Sequence, residues 1–123
     1  MSARAISLVR HIDGACVVML TGEHDLSTAQ ELTDALADAA DPATLVDLSA
    51  TSFIDSAVLG VLIASHRDAA AAGRGWALVV GPGSGAAVRR ILELTGLDTV
   101  MPVYATREQA LSALAAAQTG MTG

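Results

Sequence analysis

The junction that decides the fold reads Phe53-Ile54-Asp55-Ser56-Ala57-Val58-Leu59-Gly60, where an aliphatic strand gives way to a nearly all-apolar helix. An acid and a hydroxyl stand at that junction, and two interpretations are open. In the first, Asp55 or the upstream Ser52 caps the helix, which stabilises it by about 1 kcal/mol. In the second, Ser56 accepts a phosphoryl group, which the exposed N–H groups and the positive end of the helix dipole would stabilise. The added charge, about −1.5 to −2, would be tolerated by the fold but not by a docked partner.

The composition indicates one acidic domain. The chain has 123 residues, which suffices for one buried core, and its seven basic residues are outnumbered by thirteen acidic ones, giving a net charge of −6. That balance argues against nucleic acid and against an anionic membrane surface as partners. The apolar run at residues 57–64 is far shorter than the roughly 20 residues of a membrane-spanning helix, and no signal peptide is visible. We therefore expect a cytoplasmic protein that binds other proteins, without nucleic acid or membrane.

Hydrophobic periodicity and turn residues predict the element order β-β-α-β-α-β-α-β-α. After an opening hairpin turned at Asp13-Gly14, strands alternate with helices, which implies crossover connections and a mainly parallel sheet. Apart from the first, the strands are predicted over residues 16–20, 45–48, 76–80 and 100–103, with residues 21–25 and 49–54 as loops. The helices are predicted to begin at Ser27, near Asp55, at Ser84 and at Thr106. The predicted fold is a single α/β domain over residues 1–118, with a mixed, mostly parallel sheet of four to five strands, about four helices and a flexible tail over residues 119–123.

Two loops carry further candidate residues. Gly83, Ser84 and Gly85 form part of a Gly-rich loop that could hold a phosphate, but the loop lacks the Lys-Ser/Thr ending of a P-loop and the dinucleotide spacing. Glu23, His24 and Asp25 gather two acids and an imidazole, which fits a solvated loop or the rim of a partner surface. A metal site requires more ligands that converge on one point than this loop offers. The sequence around Ser56 also lacks the nucleophile elbow of a serine hydrolase. We expect no metal, no cofactor and no enzymatic activity.

Three motifs in order resemble those of a STAS domain of the anti-sigma factor antagonist type. They are Leu20-Thr21-Gly22-Glu23-His24-Asp25, then Leu45-Val46-Asp47-Leu48-Ser49, then Phe53-Ile54-Asp55-Ser56 followed by Leu59-Gly60-Val61-Leu62. The resemblance covers nearly the whole chain. It implies that the serine matching Ser56 is phosphorylated by a partner-switching serine kinase, the anti-sigma factor itself. The unphosphorylated form binds that factor and frees a sigma factor, phosphorylation breaks the complex, and a metal-dependent protein phosphatase resets it.

The sequence departs from many members of the family directly after Ser56. Ala57 and Val58 stand where a second hydroxyl and a glycine are common, so Ser56 is the only phosphoacceptor in the motif. The charge argument and the resemblance agree on a phosphoprotein. The resemblance further implies a regulator of transcription in a stress response, and we expect a monomer or a weak homodimer. Its partner surface is predicted to comprise Glu23, His24, Asp25, Asp55, Ser56 and Leu59. Two alternatives stay open: a nucleotide- or phosphate-binding STAS module, and a scaffold subunit of a stressosome or transporter.

Overall fold

The computed structural model describes residues 4–10 and 14–119, in which five strands form one sheet. The strands are β1 (Ala5–Arg10), β2 (Ala15–His24), β3 (Ala43–Ile54), β4 (Gly75–Val79) and β5 (Val103–Tyr104), and they lie in the order β1-β2-β3-β4-β5. β1 and β2 are antiparallel, whereas all other neighbouring strands are parallel. The predicted mixed, mainly parallel sheet is confirmed. Of the predicted turn, Asp13 lies outside the described residues.

Helices cover both faces of this sheet, and the sheet separates two hydrophobic core clusters. They are α1 (Leu26–Asp38), α2 (Ser56–Ala71), α3 (Ala86–Thr95) and α4 (Arg107–Thr119), with a 3-10 turn at Leu97–Thr99. Successive residues of a strand point to opposite faces, so Val18 and Leu20 of β2 pack with α1, α2 and α3, while Val17 packs with α4. None of the helices in this described part of the chain is long and apolar enough to cross a bilayer. The predicted tail lies outside the description from residue 120 onward.

Two central strands are longer than predicted, because their C-terminal continuations pair with each other. Residues 21–24 of β2 and 50–54 of β3 were predicted as loops, yet they continue the parallel ladder, with Gly22 opposite Thr51 and His24 opposite Ile54. Register shifts interrupt this ladder, and Gly22 takes a φ of +80° there, which favours glycine. The buried Thr51 hydroxyl donates to the Leu20 carbonyl at 2.8 Å. These extensions bring the C-terminal ends of β2 and β3 side by side, and α1 and α2 begin there.

Two of the predicted helix starts are wrong. Asp25 rather than Ser27 caps α1, since the Asp25 side chain accepts the Ser27 backbone N–H. Gly85 precedes α3 without a side-chain cap, because the Ser84 hydroxyl is turned inward. The predicted start of α2 near Asp55 is confirmed.

The remaining differences lie near the C-terminus. The start of α4 after Thr106 is confirmed, and the Thr106 hydroxyl accepts the Gln109 backbone N–H at 3.1 Å. The last strand is shorter than the predicted 100–103, because residues 97–99 form the 3-10 turn and Val100 donates its backbone N–H to Leu97. The edge strand β5 therefore begins only at Val103.

Candidate functional site

The N-termini of α1 and α2 meet at the end of the two extended strands, and one carboxylate serves both helices. Asp55 is the N-cap of α2, and its Oδ1 accepts the Val58 backbone N–H at 3.0 Å. Its Oδ2 accepts the Leu26 backbone N–H at 3.0 Å, in the first turn of α1. Backbone N–H groups in the first turn of a helix have no partner within the helix. Asp55 therefore satisfies one such group in each of two helices and ties their starts together.

The Asp25 carboxylate lies beside this junction and is held in its charged form. Its Oδ1 accepts the Ser27 hydroxyl and the Ser27 backbone N–H, the latter at 2.9 Å, and Arg4 donates to it at 3.3 Å. These hydrogen bonds, the Ser27 hydroxyl first among them, lower the pKa of Asp25 below its usual value. Together with Asp55, Asp25 gives the paired helix starts an acidic character.

The Ser56 hydroxyl is exposed and makes no hydrogen bond to any described residue. Ser56 is the first residue of α2, and the capping role belongs to Asp55, immediately before it. Ser52 makes no capping contact to α2 either. Of the two capping candidates from the sequence, Asp55 is therefore the cap of α2, and the Ser56 side chain is left accessible. Val58, which follows two residues later, is fully buried in the core.

Two exposed apolar side chains flank the acidic junction. Leu26, the first residue of α1, is 73% exposed, and Phe53 of β3 is 40% exposed. Phe53 lies opposite the exposed Glu23 in the β2–β3 ladder. We call this set the docking surface, and it consists of Glu23, Asp25, Leu26, Phe53, Asp55 and Ser56. Sequence reasoning missed Leu26 and Phe53, although Leu26 could have been found because it falls off the helical spacing of the buried Leu32 and Leu36.

Two residues predicted on the partner surface lie in the interior instead, so that prediction is wrong for them. His24 is fully buried, with Nδ1 3.0 Å from the Thr28 hydroxyl and Nε2 donating to the Thr21 carbonyl at 2.9 Å. His24 is buried because it belongs to the extended strand β2 and not to a solvated loop. Leu59 is 5% exposed and packs in the core between the helices and the sheet.

The candidate phosphate loop at Gly83–Gly85 uses two of its polar groups for hydrogen bonds to β3. Ser84 is 4% exposed, and its hydroxyl donates to the Leu48 carbonyl at 2.8 Å. The Gly85 backbone N–H donates to Thr51 at 2.8 Å. A Cβ on Gly83 would lie 2.5 Å from a β3 carbonyl oxygen, so this glycine permits close packing of the loop. The loop connects β4 to α3 and packs closely on β3.

The sequence and fold match a known family over most of the chain. The family model for the STAS domain matches residues 7–110. The chain belongs to the STAS domain family. The resemblance inferred from the three motifs is thereby confirmed. Within the described ranges of this STAS domain, no group of three or more His, Cys, Asp or Glu side chains is placed to hold a metal ion.

Solved structures with the same fold include anti-sigma factor antagonists. An anti-sigma factor antagonist from Mycobacterium paratuberculosis is 34% identical over 91% of this chain and 94% of its own, with a TM-score of 0.77. A variant of RsbS from Moorella thermoacetica is 26% identical over 89% of this chain and 93% of its own, with a TM-score of 0.70. The phosphorylated form of SpoIIAA from Bacillus, at 22% identity over 89% of this chain and 98% of its own, shares the fold with a TM-score of 0.62. The comparison with curated proteins gives no significant match.

Proposed function

We propose that this STAS domain is an anti-sigma factor antagonist whose binding is switched off by phosphorylation of Ser56. In the unphosphorylated state it binds an anti-sigma factor through the docking surface and so frees a sigma factor. The observation that carries the proposal lies at the start of α2, where Asp55 caps the helix and the exposed Ser56 hydroxyl bonds to none of the residues that the structure describes. The 34% identical antagonist from Mycobacterium paratuberculosis supports the general role.

The charge distribution explains how one phosphate would break a complex without unfolding the domain. At the first position of α2 a phosphate meets the positive end of the helix dipole, which favours it. The same phosphate adds about −1.5 to −2 charge beside the carboxylates of Asp25 and Asp55. A partner that buries this surface must strip water from all of these charges, which is costly unless each is paired. The fold therefore keeps the phosphate in solvent, and the complex is lost.

The surface also indicates what kind of partner fits. Leu26 and Phe53 offer exposed apolar area, which a partner would cover with an apolar pocket. Glu23, Asp25 and Asp55 surround them with negative charge, which a basic partner surface would complement. Consistent with the motif resemblance, we assign this role to an anti-sigma factor that is also the serine kinase for Ser56. We further propose a metal-dependent protein phosphatase that resets the switch, and place the cycle in the cytoplasm as part of a stress response.

Affinity for the anti-sigma factor, measured by calorimetric titration, tests this proposal. Ser56→Asp should weaken binding about 100-fold, since an unfavourable charge at an interface costs several kcal/mol. Ser56→Ala should bind as tightly as the wild type and keep that affinity after incubation with the kinase and ATP. Ser112→Asp is the matched control, because Ser112 is an exposed residue of α4, on the opposite face of the sheet. Equal affinities for the two Ser56 variants would exclude the switch.

A further inference from the structure

A groove with a volume of about 570 Å³ lies between α1 and α2. Small-molecule sites in proteins usually measure about 300 to 1,000 Å³ and combine an apolar lining with a few polar groups. The groove has both features. The side chains that argue for a ligand are the small residues Ala57, Gly60 and Ala64 of α2, together with Asp68 and Arg74.

Gly60 shows that packing alone does not account for the open groove. A Cβ built on Gly60 meets nothing within 4 Å, so the neighbouring helix does not require a glycine there. Its backbone is that of an ordinary helix, without a positive φ. A glycine within a helix destabilises it by roughly 0.5–1 kcal/mol relative to alanine. In this position the glycine leaves space in the groove one helical turn beyond Ser56.

Arg74 brings a positive charge into this largely apolar groove. Its side chain is 23% exposed, and its Nη1 donates to the Ala40 carbonyl at 2.8 Å. The carboxylate of Asp41 is 3.9 Å from the Arg74 Nε, but the Asp41 side chain is 90% exposed, so that pair is long and solvated. A guanidinium group has five N–H donors and binds carboxylates in a two-pronged geometry. The Arg74 side chain therefore retains donors for an anionic ligand.

We propose that the groove binds a monocarboxylate with an unbranched apolar tail. The carboxylate would pair with Arg74, and the tail would lie along Ala64 and Gly60 toward Ala57. This site is separate from the docking function, and the proposal holds or fails independently of it. Asp68 is an exposed acid that also lines the groove, and its charge would disfavour ligands with a second negative group. The arrangement thus selects single carboxylates over dicarboxylates and phosphates.

Calorimetry of the 123-residue chain with three small probes tests the ligand class. Octanoate, below its micelle-forming concentration, should bind about tenfold or more tightly than octanol, because the carboxylate adds a charge-assisted pair with Arg74. Acetate, which carries the head group without the tail, should give no detectable binding. No binding of octanoate, or equal affinities for octanoate and octanol, would overturn the proposal.

Substitutions in the groove locate the site. Gly60→Leu should lower octanoate affinity about tenfold or more by filling the groove, while the melting temperature stays equal or rises because leucine favours helix. Ala70→Leu is the matched control on the exposed face of α2 outside the groove, and it should bind like the wild type. Arg74→Gln should abolish the preference for octanoate over octanol, and Asp68→Asn should tighten octanoate binding. If Arg74→Gln does not fold, the octanoate affinity of Gly60→Leu tests the site. An affinity equal to that of the wild type would refute the proposal.

Discussion

Two aspartate–serine pairs of this domain use the same residue types in opposite ways. In the first, on β3, Asp47 is 2% exposed and its Oδ1 accepts both the hydroxyl and the backbone N–H of Ser49. In the second, at the start of α2, the Asp55 carboxylate accepts backbone N–H groups of Val58 and Leu26, and the Ser56 hydroxyl has no hydrogen-bond partner among residues 4–10 and 14–119. A serine two residues after an aspartate can fold back onto it, as Ser49 does. The adjacent Ser56 does not: both residues of the first pair support the fold, whereas in the second pair Asp55 supports it and Ser56 is the residue that we propose as the switch.

The charge of Asp47 is compensated inside the domain. Its Oδ2 accepts two hydrogen bonds from Arg107, from Nε at 3.0 Å and from Nη2 at 2.7 Å. Burial raises the pKa of Asp47, but the Ser49 hydroxyl, the Ser49 backbone N–H and Arg107 outweigh it, so that the pKa falls below its usual value. The carboxylate is therefore charged in the folded domain near neutral pH, and it links β3 to α4.

Asp47→Asn should produce the largest loss of stability. It removes the charge that pairs with Arg107, and weakening this charge-assisted pair costs about 2 kcal/mol in total. Urea denaturation should therefore show a free energy of unfolding lower by about 2 kcal/mol. Asp38→Asn, at an exposed position of α1, is the control and should change the stability by less than about 0.5 kcal/mol. Equal free energies of unfolding for the two variants would contradict a structural role for Asp47.

The pH dependence gives the same prediction a second readout. Because the pKa of Asp47 is lower in the folded domain than in the unfolded chain, its stabilising effect is complete above the ordinary aspartate value. That stabilisation is lost as the pH falls through the lowered pKa of the folded state. The difference in unfolding free energy between wild type and Asp47→Asn should therefore shrink on acidification. A difference that stays constant down to acidic pH would contradict the assignment.

Asp55→Ala should have the next largest effect on stability, although Asp55 belongs to the functional pair. It removes the N-cap of α2 and leaves the Leu26 N–H of α1 without its acceptor, which should cost about 1.5 kcal/mol. Ser52→Ala tests the other capping candidate and should leave the stability unchanged, as Ser52 makes no capping contact to α2. A loss of stability in Ser52→Ala but not in Asp55→Ala would reverse the assignment of the cap.

Removing the two serine hydroxyls gives the smallest effects and the sharpest contrast. Ser49→Ala loses a hydrogen bond to a buried carboxylate and should destabilise the domain by about 1 kcal/mol. Ser56→Ala loses no hydrogen bond and should stay within about 0.5 kcal/mol of the wild type. Thermal unfolding of both variants under one condition checks the pair. A loss of stability in Ser56→Ala matching that of Ser49→Ala would mean that the Ser56 hydroxyl supports the fold.

Much of the fold was predictable because it follows from local patterns. The apolar runs of β2, β3 and β4, separated by amphipathic helices, indicate a parallel sheet in α/β order, and the three motifs identified the family. The position of Asp55 and Ser56 at a helix start was also visible, because an apolar helix began directly after them. What the sequence left open was which of the two residues bonds to the helix, and that depends on side-chain geometry.

The errors at residues 21–24, 50–54 and 83–85 have a common cause, which is hydrogen bonding between residues distant in the chain. Residues 21–24 and 50–54 follow the apolar runs of their strands and were predicted as loops, but the two segments pair with each other in the sheet. His24 is buried for the same reason, with its ring nitrogens bonded to Thr21 and Thr28. In the Gly83–Gly85 loop, the Ser84 hydroxyl and the Gly85 N–H donate to carbonyl groups of β3, which the sequence alone does not reveal. Leu26 and Phe53 were missed because exposure of an apolar side chain is decided by tertiary packing.

Phosphate mapping on the intact domain tests the central claim most directly. The wild type and Ser56→Ala are incubated with the host's candidate anti-sigma kinases and ATP, and phosphopeptides are then sequenced by mass spectrometry. With one of these kinases, the wild type should gain a single phosphate at Ser56, and Ser56→Ala should gain none. Absence of phosphate at Ser56 with every kinase, or modification of Ser49 or Ser52 in its place, would contradict the assignment of Ser56 as the switch.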